Sequence, residues 1–90
     1  IKGYNIMKQN ILAVMERLLT KQDFQNLCEN YDVLKEEKVF KLGIDSIRVM
    51  KLVLEVTKEF NITIDFTTLD LKNFETIQKI EAYIEGSNNK

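Results

Sequence analysis

The chain has 90 residues and a net charge of −1, with 44% of its residues hydrophobic and 30% charged. This length and composition are typical of one folded domain with a modest core, and they exclude a disordered chain. The charge balance provides no basic surface for nucleic acid or anionic lipid, and no apolar run is long enough to cross a membrane. We expect one domain over residues 1–90, with its core at about 5–86 and a flexible tail at 87–90.

Cysteine and histidine usage narrows the chemistry further. Cys28 is the only cysteine and there is no histidine, so the chain can form no internal disulfide and offers few metal ligands. Its carboxylates lack the spacing of a calcium loop. We therefore expect no metal site, no nucleic-acid or membrane partner, and a monomer. A cytoplasmic location is expected because a lone cysteine fits a reducing compartment.

The first predicted element is a helix from Asn5 to Leu19, because its apolar residues recur at three- and four-residue steps. That periodicity is lost from Thr20 to Gly43, which predicts a long loop. A loop of this length is unusual in a small domain and is often functional. Scattered apolar residues are expected to pin it to the core: Phe24, Leu27, Val33, Leu34, Val39, Phe40 and Leu42.

A second helix is predicted from Ser46 to Phe60, with Asp45 as its N-cap. One apolar stripe is expected to dock this helix on the core: Val49, Leu52, Val53, Val56 and Phe60. A second stripe is rotated away from the first and consists of Ile47, Met50 and Leu54. It is either part of a wide buried face or a partly exposed surface that meets a partner, and the spacing alone leaves both interpretations open.

The rest of the chain predicts an extended connection and a final helix. Residues 61–65, "NITID", are expected to be extended rather than a strand, because a single strand has nothing to pair with. "FTTLDL" predicts one short helical turn, and Asn73 is expected to cap a last helix that Gly86 ends. The predicted fold is all-α: a small four-helix bundle of three longer helices and one short helix, with a long loop between helices 1 and 2.

Ser46 is the one residue in the second helix that suggests chemistry. It is not expected to be a catalytic nucleophile, because the chain has no histidine to act as its base and no G-x-S-x-G elbow. A helix N-terminus instead favours a phosphate-linked group, because free N–H groups and the positive end of the helix dipole meet there. The simpler alternative is an ordinary capping serine.

The stretch from Leu42 to Ile64, "LGIDSIRVMKLVLEVTKEFNITI", resembles the signature of acyl and peptidyl carrier proteins. In that family a Leu-Gly pair and then Asp-Ser-Leu or Asp-Ser-Ile open the second helix, which ends near a Glu-Phe pair. Alternating isoleucines follow, as Ile62 and Ile64 do here. The later "FETIQKIEAYI" is similar to the final helix of the family. The resemblance covers most of the chain.

The resemblance implies a carrier domain rather than an enzyme. In the family, a phosphopantetheinyl transferase moves 4'-phosphopantetheine from coenzyme A to the serine, here Ser46, and the arm then holds cargo as a thioester. The resemblance also implies that Asp45 caps the helix and aids transferase recognition. Acyl- or aminoacyl-loading enzymes and downstream synthase enzymes are the other implied partners. They would meet a partner-binding surface formed by Ile47, Arg48, Met50, Lys51 and Leu54.

The charges of the second helix depart from one branch of the family. Carriers of bacterial fatty-acid synthesis usually have an acidic second helix, whereas this helix has three cations against two anions. Because charge complementarity governs encounter and partner choice, we favour nonribosomal peptide, polyketide or other specialised biosynthesis. The alternatives are an acyl carrier of fatty-acid synthesis and an unmodified helical interaction domain of the same fold. The alternative explanation of the charges themselves is a solvated mixed-charge face that selects no partner.

Overall fold

The computed structural model describes the backbone of residues 2–88 and the side chains of residues 6–87. No strand is present over these residues, so the predicted all-α fold is confirmed. Residues 2–88 form six α-helices and one 3₁₀ helix, which we call η1. In chain order the elements are α1 Lys2–Leu18, α2 Lys21–Glu29, α3 Tyr31–Leu34, α4 Val39–Leu42, α5 Arg48–Phe60, η1 Leu71–Phe74 and α6 Ile77–Asn88.

The core is built mainly from the inner faces of three helices. Helix α1 packs most extensively against α5, and α6 closes the bundle together with η1. Each helix contributes apolar residues at three- and four-residue steps, which places them on one face. Among the described side chains, the buried apolar residues of these helices are Ile11, Val14, Met15 and Leu18 in α1, Leu52, Val53 and Val56 in α5, and Ile77, Ile80 and Ile84 in α6.

The inner face of α5 was predicted well in its centre and less well at its ends. Leu52, Val53 and Val56 are buried, as predicted. Val49 and Phe60 are only partly buried and pack against the edge of the core. Helix α5 ends where Asn61 adopts a left-handed conformation, with φ of 52°. The stripe is therefore the core-facing side of α5, but its two terminal residues lie at the rim.

The predicted long loop over residues 20–43 is wrong, because this segment contains α2, α3 and α4. Helix α2 begins at a cap in which the Thr20 hydroxyl oxygen accepts a hydrogen bond of 3.2 Å from the Asp23 N–H. Its one buried residue is Leu27, so it has no periodic apolar face for the sequence to show. Val33 and Phe40 are exposed and do not pin the segment. The other five apolar residues are buried or partly buried in the core.

Two backbone hydrogen bonds and an ion-pair cluster fix this segment against the start of α6. The Val39 N–H donates to the Glu75 carbonyl at 2.9 Å, and the Gln78 N–H donates to the Lys35 carbonyl at 2.9 Å. The Glu75 carboxylate also pairs with Lys38 and Lys79, each at 3.1 Å. Hydrogen bonds from Lys38 and then Lys79 hold the pKa of Glu75 below its ordinary value. The segment that leads to α5 is thus held to the bundle.

The start of α6 differs from the prediction. Asn73 does not cap this helix, because it lies inside η1. The cap is Thr76, whose hydroxyl oxygen accepts a hydrogen bond of 3.0 Å from the Lys79 N–H. The predicted short helical turn falls later than expected, since residues 66–68 form a turn and the 3₁₀ helix covers Leu71–Phe74. Residues 62–65 have no regular structure, as predicted.

The end of α6 also differs. Gly86 does not end the helix, which continues to Asn88. Gly86 has no positive φ, and a left-handed conformation is what makes a glycine end a helix. The flexible tail predicted at 87–90 is therefore helical at 87 and 88, while 89 and 90 lie outside the described residues.

Candidate functional site

The turn before α5 is organised around Asp45. Its carboxylate Oδ1 accepts a hydrogen bond of 2.8 Å from the Arg48 N–H. Its backbone carbonyl accepts one of 3.0 Å from the Val49 N–H, which is the first bond of the helical ladder. Ile47 already has helical dihedral angles, with φ of −74° and ψ of −42°. The regular helix begins at Arg48 rather than at Ser46, but the hydrogen bonds place Asp45 at the capping position and Ser46 in the first turn.

The residues that precede Asp45 in the chain hold this turn to the core. Leu42 and Ile44 are buried. Between them Gly43 has a φ of 116°, a left-handed conformation that ends α4. A Cβ atom at Gly43 would lie 2.5 Å from Asp23 Oδ2. The buried pair and the glycine between them fix the point at which the chain emerges to the surface.

Ser46 is exposed at this point, as are Asp45 and Ile47. The cap uses the N–H groups of Arg48 and Val49. The N–H groups of Ser46 and Ile47 belong to the orphan donors of a helix start and are available to solvent or to an anionic group. A phosphodiester on the Ser46 hydroxyl fits this position, because it would sit beside free donors and the positive end of the α5 dipole.

The stripe of Ile47, Met50 and Leu54 is exposed, so it is not part of a wide buried face. The exposed fractions of these residues are 83%, 40% and 45%. They occupy the side of α5 opposite its buried face and begin one residue after Ser46. A contiguous apolar stripe on a surface is typical of a site that meets another molecule.

Several charged residues of α5 bind groups of α1. Arg48, although exposed overall, donates from Nη1 to the Leu18 carbonyl at 3.1 Å and so contacts the C-terminal end of α1. Arg17 of α1 donates from Nε to Glu55 at 2.6 Å and from Nη2 to Glu59 at 3.1 Å. These hydrogen bonds, from Glu59 first and then Glu55, raise the pKa of Arg17. Lys51 is exposed and has no ion-pair partner among the described residues.

Sequence reasoning missed Arg17. It lies 38 residues from Glu55 and 42 from Glu59 along the chain, so no local spacing connects them. A polar residue near the end of an amphipathic helix is ordinarily assigned to solvent. Only the packing of α1 against α5 brings the guanidinium to the two carboxylates.

Metal-ligand clusters and membrane-spanning helices are not found over the described part of the chain. No group of three or more potential metal ligands occurs among residues 2–88. Within the same residues, none of the helices has both the length and the apolar character needed to cross a membrane.

Replacing Asp45 with alanine is expected to lower the free energy of unfolding by about 1 kcal/mol, within a range of about 0.5–2 kcal/mol. The reason is that the Arg48 N–H would lose its side-chain acceptor at the start of α5. Asp45→Asn is the matched control, because an amide oxygen can still accept this bond. Urea denaturation followed by circular dichroism measures both variants. Equal midpoints for Asp45→Ala and the wild type would contradict the role of the cap.

Comparisons with known proteins identify the family of the chain. A family model described as "Phosphopantetheine attachment site" matches residues 30–84. An acyl carrier protein of Exiguobacterium sp. is 31% identical over 80 residues, which cover 87% of this chain and 94% of the relative. An acyl carrier protein of Phytoplasma australiense is 43% identical over 44 residues, or 49% of this chain and 55% of the relative.

An acyl carrier protein of Onion yellows phytoplasma is 49% identical over 43 residues, or 48% of this chain and 54% of the relative. The chain thus spans about half the length of the two phytoplasma relatives. No solved structure matches the chain at a comparable level. The family match covers more than half of the chain and includes the α5 start, so the chain belongs to the phosphopantetheine-attachment family of carrier proteins, whose prosthetic group is covalently attached 4'-phosphopantetheine.

Proposed function

We propose that Ser46 carries the 4'-phosphopantetheine group and that the chain holds acyl groups as thioesters. The observation that carries this proposal is the position of Ser46: an exposed hydroxyl in the first turn of a capped helix, one residue after Asp45. Family membership supplies the chemical class of the modification.

The residues around Ser46 contribute to holding the arm in different ways. Asp45 fixes the first turn by accepting the Arg48 N–H, which orients the serine toward solvent without using its hydroxyl. The free N–H groups of the turn and the dipole of α5 favour the negative charge of a phosphodiester. The phosphopantetheine group would supply the thiol that forms the thioester. The thiol of Cys28 is therefore not needed for this step. A transferase must supply the base for the attachment, since the chain has no histidine.

The relatives favour an acyl cargo. Those that match are named acyl carrier proteins, which supports the fatty-acid alternative over nonribosomal peptide or polyketide biosynthesis. The exposed Lys51 is the observation that favours a specialised pathway, because fatty-acid carriers of the family usually present acidic side chains there. The mass of the cargo on chain purified from its source distinguishes an acyl group from an aminoacyl or peptidyl group, since these groups differ in composition.

Incubation with coenzyme A, magnesium and a broad-specificity phosphopantetheinyl transferase is expected to add one phosphopantetheine mass to the chain. Ser46→Ala is expected to remove this gain completely, because it deletes the only hydroxyl group at the start of α5. The matched control is Ser87→Ala, which removes the only other serine and should leave the gain intact. Intact-protein mass spectrometry measures all three proteins. A wild type that gains no mass, or a gain that persists in Ser46→Ala, would contradict the proposal.

A further inference from the structure

The exposed side of α5 carries lysines among its apolar residues. Residues three, four, seven and eleven positions apart lie close together on one side of an α-helix. Lys51 and Lys58 therefore share the side on which Ile47 and Leu54 lie, with Met50 beside them. All five side chains belong to exposed residues. We call this set the docking face: Ile47, Met50, Lys51, Leu54 and Lys58.

The acidic residues of the same helix are withdrawn from this face. The side chains of Glu55 and Glu59 are only 17% and 24% exposed, whereas that of Lys58 is 75% exposed. Both carboxylates are bound by Arg17, which reaches them from α1. Lys58 approaches Glu55 only at 4.0 Å, which is a weak contact for a surface pair. The cations of the docking face thus remain open to solvent, while the anions of α5 are partly covered and paired with Arg17 at the boundary with α1.

The side chain of Arg48 also lies at the boundary between α5 and α1. Its guanidinium donates to the Leu18 carbonyl at 3.1 Å, so its charge sits at the C-terminal end of α1, where the helix dipole favours a cation. The count of three cations and two anions in α5 is therefore a poor guide to its surface. What a partner meets is an apolar stripe with Lys51 and Lys58.

We infer that Arg17 sets the charge of the docking face by withdrawing Glu55 and Glu59, and that the enzymes this carrier serves meet it with an apolar patch bearing carboxylates. The inference rests on the proposed function in one respect: enzymes must approach Ser46, which adjoins the docking face. An apolar patch covers the stripe, and carboxylates pair with the two lysines. A basic patch, in contrast, would place like charges together, which costs free energy and slows encounter.

The probes for this inference are two synthetic amphipathic helices with the same length and the same apolar face. One has glutamates along both edges of that face and the other has lysines. Each is titrated into the unmodified, ¹⁵N-labelled 90-residue chain and followed by NMR at low and high salt. The glutamate peptide is expected to bind about fivefold or more tightly than the lysine peptide at low salt and to shift the amides of residues 47–58. High salt should reduce the difference.

Variants of the chain test whether the peptide preference depends on the lysines of the docking face or only on the net charge. The Lys51→Glu/Lys58→Glu double variant is expected to reverse the preference, and Lys51→Gln/Lys58→Gln should abolish it with less disturbance of the helix. The matched control is Lys21→Glu/Lys72→Glu, which makes the same change of net charge at two exposed lysines outside α5 and should preserve the preference. Arg17→Gln should weaken it, because Glu55 and Glu59 would be released toward solvent. The dispersion of each amide spectrum reports whether the variant is folded.

Three results would overturn the inference: equal binding of the two peptides, tighter binding of the lysine peptide, or the same reversal in the control variant. None of these depends on the arm, since the unmodified chain is used. A failure here would leave the Ser46 mass measurement untouched, and a failure of that measurement would leave the peptide preference standing.

Discussion

Replacing Phe74 with alanine is expected to lower the free energy of unfolding by about 3–5 kcal/mol. Phe74 is completely buried at the junction of η1 and α6, and its ring centroid lies 5.4 Å from that of Tyr83. Removing the ring deletes apolar contacts and leaves a cavity that the surrounding helices can close only in part. A domain of this length has a total stability of roughly 5–13 kcal/mol, so the loss is a large share of it.

Phe66→Ala is the matched control, because Phe66 is an exposed phenylalanine in the turn after α5. It should change the stability by no more than about 0.5 kcal/mol. Phe74→Leu should fall between the two, and it keeps the test usable if Phe74→Ala does not fold. Urea denaturation gives the free energies. A loss below about 1 kcal/mol for Phe74→Ala would show that the ring does not support the core.

Replacing Gly43 with alanine is expected to cost about 1–3 kcal/mol. The φ of 116° at Gly43 is a conformation that residues with a side chain rarely adopt. The added Cβ atom would also approach Asp23 Oδ2 to 2.5 Å and Leu19 Cδ2 to 3.2 Å. The Asp23 carboxylate can move aside, so most of the cost comes from the backbone and from the leucine contact.

Gly86→Ala makes the same chemical change where neither obstacle exists. A Cβ atom at Gly86 has open space within 4 Å, and the residue is helical. Alanine should therefore cause no loss there, and it should give a gain of up to about 1 kcal/mol because glycine is a poor helix former. Thermal denaturation of the two variants compares them directly. Equal melting temperatures would mean that Gly43 is not required for the left-handed turn.

The sequence predicts best those elements whose apolar residues form one long periodic face. This holds for α1, α5 and α6, which bury most of the core. It fails for α2, whose stability comes from a Thr20 cap and a single buried Leu27. It also fails for the cap of α6, since Asn73 and Thr76 are both good capping residues and only the position of η1 decides between them.

The site was predictable to the extent that it is local. Asp45, Ser46 and Ile47 are adjacent in sequence, and the capping pattern of an aspartate before an amphipathic run locates them. The exposed state of Met50 and Leu54 could not be read from spacing, because it depends on which side of α5 meets α1. The pairing of Arg17 with two distant carboxylates could not be read from spacing either, because it also depends on how α1 packs against α5.

The bond from the Arg48 side chain to the Leu18 carbonyl has a mechanical consequence. Arg48 follows Ser46 by two residues, and its backbone N–H is held by Asp45 while its guanidinium is held by the end of α1. Sliding of α5 along α1 would break the second bond, so Arg48 links the turn that contains Ser46 to the end of α1. The reach of any group attached to Ser46 is set by the length of that group and by tumbling of the whole domain. Under the proposed function, every cargo would therefore be presented from the same point of the domain.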